Sequence, residues 1–154
     1  MHEHLLVELS SFETTARGNL IDLTWLTGSE PQNSAYRIWR GIENSSGNYT
    51  NITTLTELSS YQTNCTEGEL TIASPESNQL ILAAGNERQG ACYSFVDNTI
   101  TQDGTYYYVL EDINNEGESI FHCDNLAAAT IGQGLAIDLE SATNYCNQVT
   151  GSSN

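Results

Sequence analysis

Apolar and polar residues alternate with a period of two along most of this chain, and that alternation predicts strands rather than helices. His2–Ala16 sets Leu6, Glu8 and Ser10 against Val7, Leu9 and Ser11 before Phe12 continues the apolar face. Arg17-Gly18-Asn19 is a turn into a strand at Leu20–Trp25, and Gly28–Ser34 is a polar loop in which Pro31 blocks strand continuation. A strand at Tyr36–Arg40 follows. After Gly41 the composition turns to Asn, Ser, Thr and Gly, with further strands expected at Tyr49–Leu58, Glu69–Ala73 and Gln79–Ala84. Tyr93–Val96, a turn ending in Asp103-Gly104, Thr105–Ile113 and a turn at Asn114–Gly117 complete the clearest part of the pattern. From Asp124 the chain becomes Ala- and Gly-rich; Leu135–Leu139 alternates like a strand, while Asp138–Asn147 reads equally as a short helix.

Within Thr105–Ile113 the residues Tyr106, Tyr108 and Leu110 share one face and Tyr107 and Val109 the other, so both faces are partly apolar. A central strand is expected to look like this. The run Gly104–Leu110 followed by Gly117-Glu118-Ser119 resembles strand F, the F–G turn and the start of strand G of a fibronectin type III domain. Tyr106 falls where such a sandwich has its tyrosine-corner residue. Leu20–Trp25 resembles strand B with an inward Trp, and Tyr36–Arg40 resembles strand C. The wording Trp25–Glu30 followed by Ala35–Ile38 is similar to a variant common in large secreted and surface proteins of bacteria.

The resemblance implies an all-β fold: one fibronectin type III-like antiparallel β-sandwich spanning residues 1–154. Its core would lie at about 5–41 and 92–122, with an insertion at 42–91 and a C-terminal extension at 123–154. It says little of function, because such domains serve as spacers, adhesion modules and enzyme accessories.

Length agrees with a single domain, since 154 residues bury a real core but do not make two domains of ordinary size. Charge narrows the partners: 20 acidic residues stand against 4 basic ones, for a net charge of −16. Nucleic acid and anionic membrane both require a positive footprint and are excluded as partners. All four basic residues are arginines (Arg17, Arg37, Arg40 and Arg88), so chemistry that needs a lysine is absent. The apolar runs are far too short to span a bilayer, so no membrane insertion is expected. The start, Met1–Val7, has neither a basic region nor a long apolar core, so no leader is expected within it; it has been removed, or the chain is an excised piece.

Cys65, Cys92, Cys123 and Cys146 are scattered, with no Cys-x-x-Cys pair, and read as two disulfides of an oxidising compartment. Three pairings can be drawn. Cys65–Cys92 with Cys123–Cys146 is favoured because each bridge would close one of the segments outside the family match, fastening the insertion as a hairpin.

Candidate chemistry is sparse. Asn44, Asn48, Asn51 and Asn64 each begin an Asn-x-Ser/Thr triplet and are candidate glycosylation sites of a secreted glycoprotein. Asp112-x-Asn114-x-Glu116-Gly117 looks like half of a calcium loop, but Cys123 stands where a bidentate Glu belongs, and a hairpin turn is the ordinary reading. His2, Glu3 and His4 are potential ligands read as solvated, and His122 as structural, so no metal or cofactor is expected. Glu111 with Asp112, or Asp22 with Glu30, supplies pairs of carboxylates, yet neighbours on a strand face opposite ways. No catalytic motif is present, and the chain is read as non-enzymatic. Trp39 and Tyr107 are the candidate partner contacts, either exposed for a glycan or protein to stack on, or packed under the Gly41–Cys92 insertion. The reading is an extracellular structural or adhesive module. It would serve as a building block joined to copies of itself by β-strand addition through His2–Leu9 or Asn125–Leu139, or as a glycan- or protein-binding accessory.

Overall fold

The computed structural model describes residues 7–43, 53–54, 61–63, 71–73, 81–86, 88–132 and 134–151, with backbone alone for the three short stretches between 53 and 73. Two antiparallel sheets pack face to face as an all-β sandwich. The first carries β1 (Glu8–Arg17), β2 (Leu20–Ser29), β8 (Cys92–Asp97), β5 (Tyr61–Thr63) and β6 (Thr71–Ala73) in that order. The second runs β10 (Ser119–Phe121), β9 (Gly104–Asn114), β3 (Asn33–Glu43) and β4 (Thr53–Thr54), with β7 (Ile81–Leu82) also on β3 and β11 (Ala127–Ile131) also on β9. A helix, α1 (Leu139–Thr150), closes the chain.

Side-chain alternation builds the core. Ile21, Leu23 and Trp25 of β2 and Tyr93 and Phe95 of β8 point inward from the first sheet, and Tyr36, Ile38, Tyr106, Tyr108 and Leu110 answer from the second. Trp25 is fully buried at 0% exposure, stacked on Tyr93 at 5.1 Å and edge-on to Phe12 and Tyr36 at 6.0 and 5.8 Å. Its indole N–H has no hydrogen-bond partner among the described residues, so its contribution there is packing. The Tyr106 hydroxyl donates back to the Gln102 carbonyl, the tyrosine-corner bond that the resemblance implies.

Strand β1 begins later than the His2–Ala16 expectation, and residues 2–6 lie outside the described residues. Register shifts between Glu8 and Ser11 move the inward phase from Val7 and Leu9 to Phe12, which is how Phe12 can continue a face that strict alternation would give to Ser11.

Two parts of the chain are tied into the sheets. Within the insertion β5 and β6 pair with each other antiparallel, β5 also pairs with β8, and β4 and β7 pair with β3. Sheet edges present unpaired amides and carbonyls, and adding short strands to both edges satisfies them. The region after residue 122 also joins the sandwich. Ala127–Ile131 pairs with Tyr108–Gly104 of β9 and sends Ala127, Ala129 and Ile131 into the main core. Its other edge meets β1, where the Thr14 hydroxyl donates to the Ala128 carbonyl at 2.7 Å. Strand β10 and β11 thus line the same side of β9 in succession, separated by a 3-10 turn at Cys123–Asn125. Leu135–Asp138 forms no strand, and the helical alternative holds for Leu139–Thr150.

Because Trp25 touches three aromatic rings from both sheets, Trp25→Ala is expected to lower unfolding stability by about 3–5 kcal/mol in chemical denaturation, a large aromatic truncation in a packed core.

Candidate functional site

Strand β9 is buried on both faces, and its outer face gathers most of what the chain could use for recognition. Tyr107 and Val109 form a second core with Cys123, Leu126, Ala142 and Cys146, flanked by Trp39, Phe121 and Ala128. The helix covers this face because Ala142 and Cys146, four residues apart, lie on one side of it. Asp138 caps its start by accepting from the Ser141 amide at 3.1 Å and the Ser141 hydroxyl at 2.8 Å. Those bonds hold the exposed Asp138 carboxyl below its ordinary pKa. Gly151, at φ 75°, adopts the left-handed conformation that ends the helix.

Three ties pin this cover to the sheet. The Cys123–Cys146 disulfide joins the 3-10 turn to α1 across 23 residues. The Asp138 amide donates to the Tyr107 hydroxyl at 3.0 Å, and the Thr105 hydroxyl donates to the Ala136 carbonyl at 3.0 Å. At the margin, the Trp39 indole N–H donates to Glu111 Oε1 at 2.7 Å, Arg37 reaches the same oxygen at 3.4 Å, and the indole lies 5.8 Å from the Phe121 ring.

Three further acids are buried between or beside the sheets. Glu30, 1% exposed, accepts from Thr27 Oγ1 at 2.5 Å, Tyr93 Oη at 2.7 Å and the Gly85 amide at 2.9 Å. Burial first, and the Glu30 charge after it, push the Tyr93 hydroxyl well above the ordinary phenol range, so it stays a neutral donor. The loop after β7 closes tightly over this cluster: a Cβ on Gly90 would stand 1.6 Å from the Thr27 carbonyl oxygen, so only glycine fits. Asp97 accepts from Tyr108 at 2.6 Å and from the Thr99 hydroxyl and amide at 2.6 and 3.0 Å, and pairs with Arg40 at 3.1 Å, linking β8 to β3. Burial opposes its charge, but these donors outweigh it and the carboxyl is held below its ordinary pKa. Asp112, 0% exposed, has Oδ2 2.7 Å from His122 Nε2.

The structure distributes the candidate residues widely. Tyr107 is 3% exposed and so offers no stacking surface, while Trp39 is half-buried. Among the described residues their cover is the C-terminal helix and turn. Asp22 pairs with Arg17 at the start of β2 and Glu30 lies beyond its end, so they do not form an acid pair. Glu111 and Asp112 bond outward and inward respectively. Asn114 Oδ1 accepts from the Glu116 and Glu118 amides, making a turn of the half calcium loop, with Gly117 at φ 84°. Among the described residues no group of three or more His, Cys, Asp or Glu side chains is arranged to hold a metal ion. Cys92 is also disulfide-bonded. Its expected partner Cys65, the triplet residues Asn44, Asn48, Asn51 and Asn64, and His2 and His4 lie outside the described residues.

Sequence reasoning named Glu30, Glu111 and Asp112 only as members of carboxylate pairs and passed over Asp97, although a signal for its burial was present. Asp97 continues the inward series Tyr93, Phe95, and Arg40 continues Tyr36, Ile38, so opposite charges stand at the inward ends of two core strands. Glu30 had no such signal, because its partners Gly85 and Tyr93 are more than fifty residues away.

No protein-family model and no curated protein matches the chain. Among solved structures it is similar to astrotactin-2, a vertebrate-specific, perforin-like membrane protein involved in neuronal development, at 14% identity and a TM-score of 0.48. That match covers 97% of this chain but 27% of the other, so the chain spans about a quarter of its length. It is also similar to ACE19, the collagen-binding subdomain of the Enterococcus faecalis surface protein ACE, at 10% identity and a TM-score of 0.36, over 85% of this chain and 100% of that one.

Two outcomes follow from this geometry. Replacing Cys123 and Cys146 with Ser opens a loop of 23 residues and is expected to cost about 3 kcal/mol on the loop-entropy account, read from denaturant midpoints under oxidising conditions. Because the folded pKa of Asp97 lies below the model value of 3.8, its contribution is present above that pH and lost as pH falls through the folded value. The stability gap between the wild type and Asp97→Asn should therefore be constant near neutrality and shrink below about pH 4 in matched denaturation curves.

Proposed function

We propose that this chain is a non-catalytic, extracellular or cell-surface β-sandwich module of fibronectin type III-like type that serves a structural and adhesive role toward a protein partner. One observation carries the reading: among the described residues, the buried acids are spent on holding the fold. Glu30, Asp97, Glu111 and Asp112 are each buried and hydrogen-bonded to another element of the sandwich. The strand order β1-β2-β8 against β10-β9-β3-β4 supports the fibronectin type III-like form, as does the Tyr106 corner. The Cys123–Cys146 bridge and the bonded Cys92 support an oxidising location. No helix among the described residues is long and apolar enough to cross a membrane.

A protein partner is favoured over a glycan, because Tyr107 is covered and Trp39 is engaged with Glu111 and Phe121. Assembly of copies into a filament by strand addition would have to use the N-terminal segment or an open edge, since Ala127–Ile131 is paired within its own chain. Three of the four arginines are held in ion pairs with Asp22, Glu111 and Asp97, which leaves the surface overwhelmingly acidic and suits a basic partner.

Beads carrying the full chain, tested on surfaces coated with basic proteins, acidic proteins or glycans, are expected to be retained on the basic proteins and released as salt is raised. Retention no greater than on a blocked surface, or retention on glycans alone, would overturn the adhesive reading.

A further inference from the structure

We propose that the exposed strap from Gly134 to Leu139 is a docking edge that takes an extended, basic and apolar peptide segment of a partner protein by β-strand addition; this rests on the protein-binding reading above and gives it a location. The strap leaves β11 at Gly132 (φ 110°) and Gly134 (φ 75°), crosses the outer face of β9, and enters α1. Its residues alternate in what they do. Ala136 and Asp138 give a carbonyl and an amide to Thr105 and Tyr107 of β9. Leu135 and Ile137 give none, and their amides and carbonyls have no hydrogen-bond partner among the described residues.

Their side chains are also left out. Leu135, Ile137 and Leu139 are 42%, 46% and 46% exposed, an apolar row at every second position in a chain that buries its other large apolar rows. Unpaired backbone groups beside alternating apolar side chains are what a sheet edge offers to an incoming strand: the main chain supplies hydrogen bonds and the row supplies contacts. The anchoring through Thr105 and Tyr107 holds this edge in place before any partner arrives, which lowers the ordering cost of binding.

Charge selects the occupant. Asp103 packs against Gly132 where the strap begins, Asp138 and Glu140 flank its end, and no lysine or arginine occurs anywhere from Gln89 to Asn154. An incoming strand therefore needs cationic residues alternating with apolar ones. A second copy is the wrong occupant, because each brings a net charge of −16 and strap-to-strap pairing would set these acids against their own kind.

The test titrates the full chain with two short synthetic peptides, one alternating valine with arginine and one alternating valine with glutamate, followed by amide NMR and hydrogen exchange. The valine–arginine peptide is expected to shift and protect the Leu135 and Ile137 amides, and the valine–glutamate peptide to leave them unchanged. Leu135→Thr with Ile137→Thr, both at exposed positions without internal bonds, is expected to keep the near-ultraviolet spectrum and weaken binding about tenfold, or ~1.4 kcal/mol. Equal binding of both peptides, shifts elsewhere than residues 134–139, unchanged affinity of the double variant, no shift at millimolar peptide, or dimerisation through the strap would each overturn the proposal. Failure of the peptide with bead adhesion intact removes the docking edge and leaves the adhesive reading; peptide docking without adhesion does the reverse.

Discussion

Strand β9 has to hide two apolar faces, and most of the remaining architecture answers that requirement. Tyr106, Tyr108 and Leu110 need a second sheet to lie against, which the first sheet provides through Trp25, Tyr93 and Phe95. Tyr107 and Val109 need a separate cover, and among the described residues the C-terminal chain supplies it, brought back by the 3-10 turn and stapled by Cys123–Cys146. A strand apolar on one side would have left the last twenty or so residues with nothing to fold upon, because a short helix is marginal in water without a surface to bury it.

The buried acids show the same economy at the level of polar groups. Each inward-facing carboxylate stands at the end of an otherwise apolar row and meets donors from another element: Asp97 with Tyr108 and Arg40, Asp112 with His122, Glu30 with Tyr93 and the Gly85 amide. An uncompensated charge in such a place would destabilise the fold by several kcal/mol, on the order expected for a buried unpaired ion. With its donors in place it fixes register instead, since sliding either strand by one residue would strand both partners on the wrong face. The result is a sandwich whose ends are locked by polar contacts and whose middle is locked by aromatic ones.

This arrangement also bears on how the chain meets other molecules. Rings that would have been recognition surfaces, Tyr107 above all, are consumed by folding, while two of the four arginines, Arg37 and Arg40, are turned to buried acids and the chain keeps its net negative charge. What stays open is backbone: a strap held at alternate residues and free at the others, with a short apolar row along it. Recognition by strand pairing asks little of side-chain chemistry.

Much of the fold could be read from the residues, and for a definite reason. Period-two alternation is local, so Leu20–Trp25, Tyr36–Arg40, Tyr93–Val96 and Thr105–Ile113 announced their strands and their inward faces, and Tyr106 announced its corner. Scattered cysteines announced bridges, and the Cys123–Cys146 pairing was favoured because it closes a segment outside the family match. What alternation cannot state is which distant element a face meets. The division of the insertion between two sheet edges, the entry of Ala127–Ile131 into the core, the helical end of the chain and the covering of Tyr107 by that helix were decided by tertiary structure alone. Each depends on hydrogen-bond partners and buried surface supplied from dozens of residues away, and a sequence pattern carries the demand for such partners without saying where they come from.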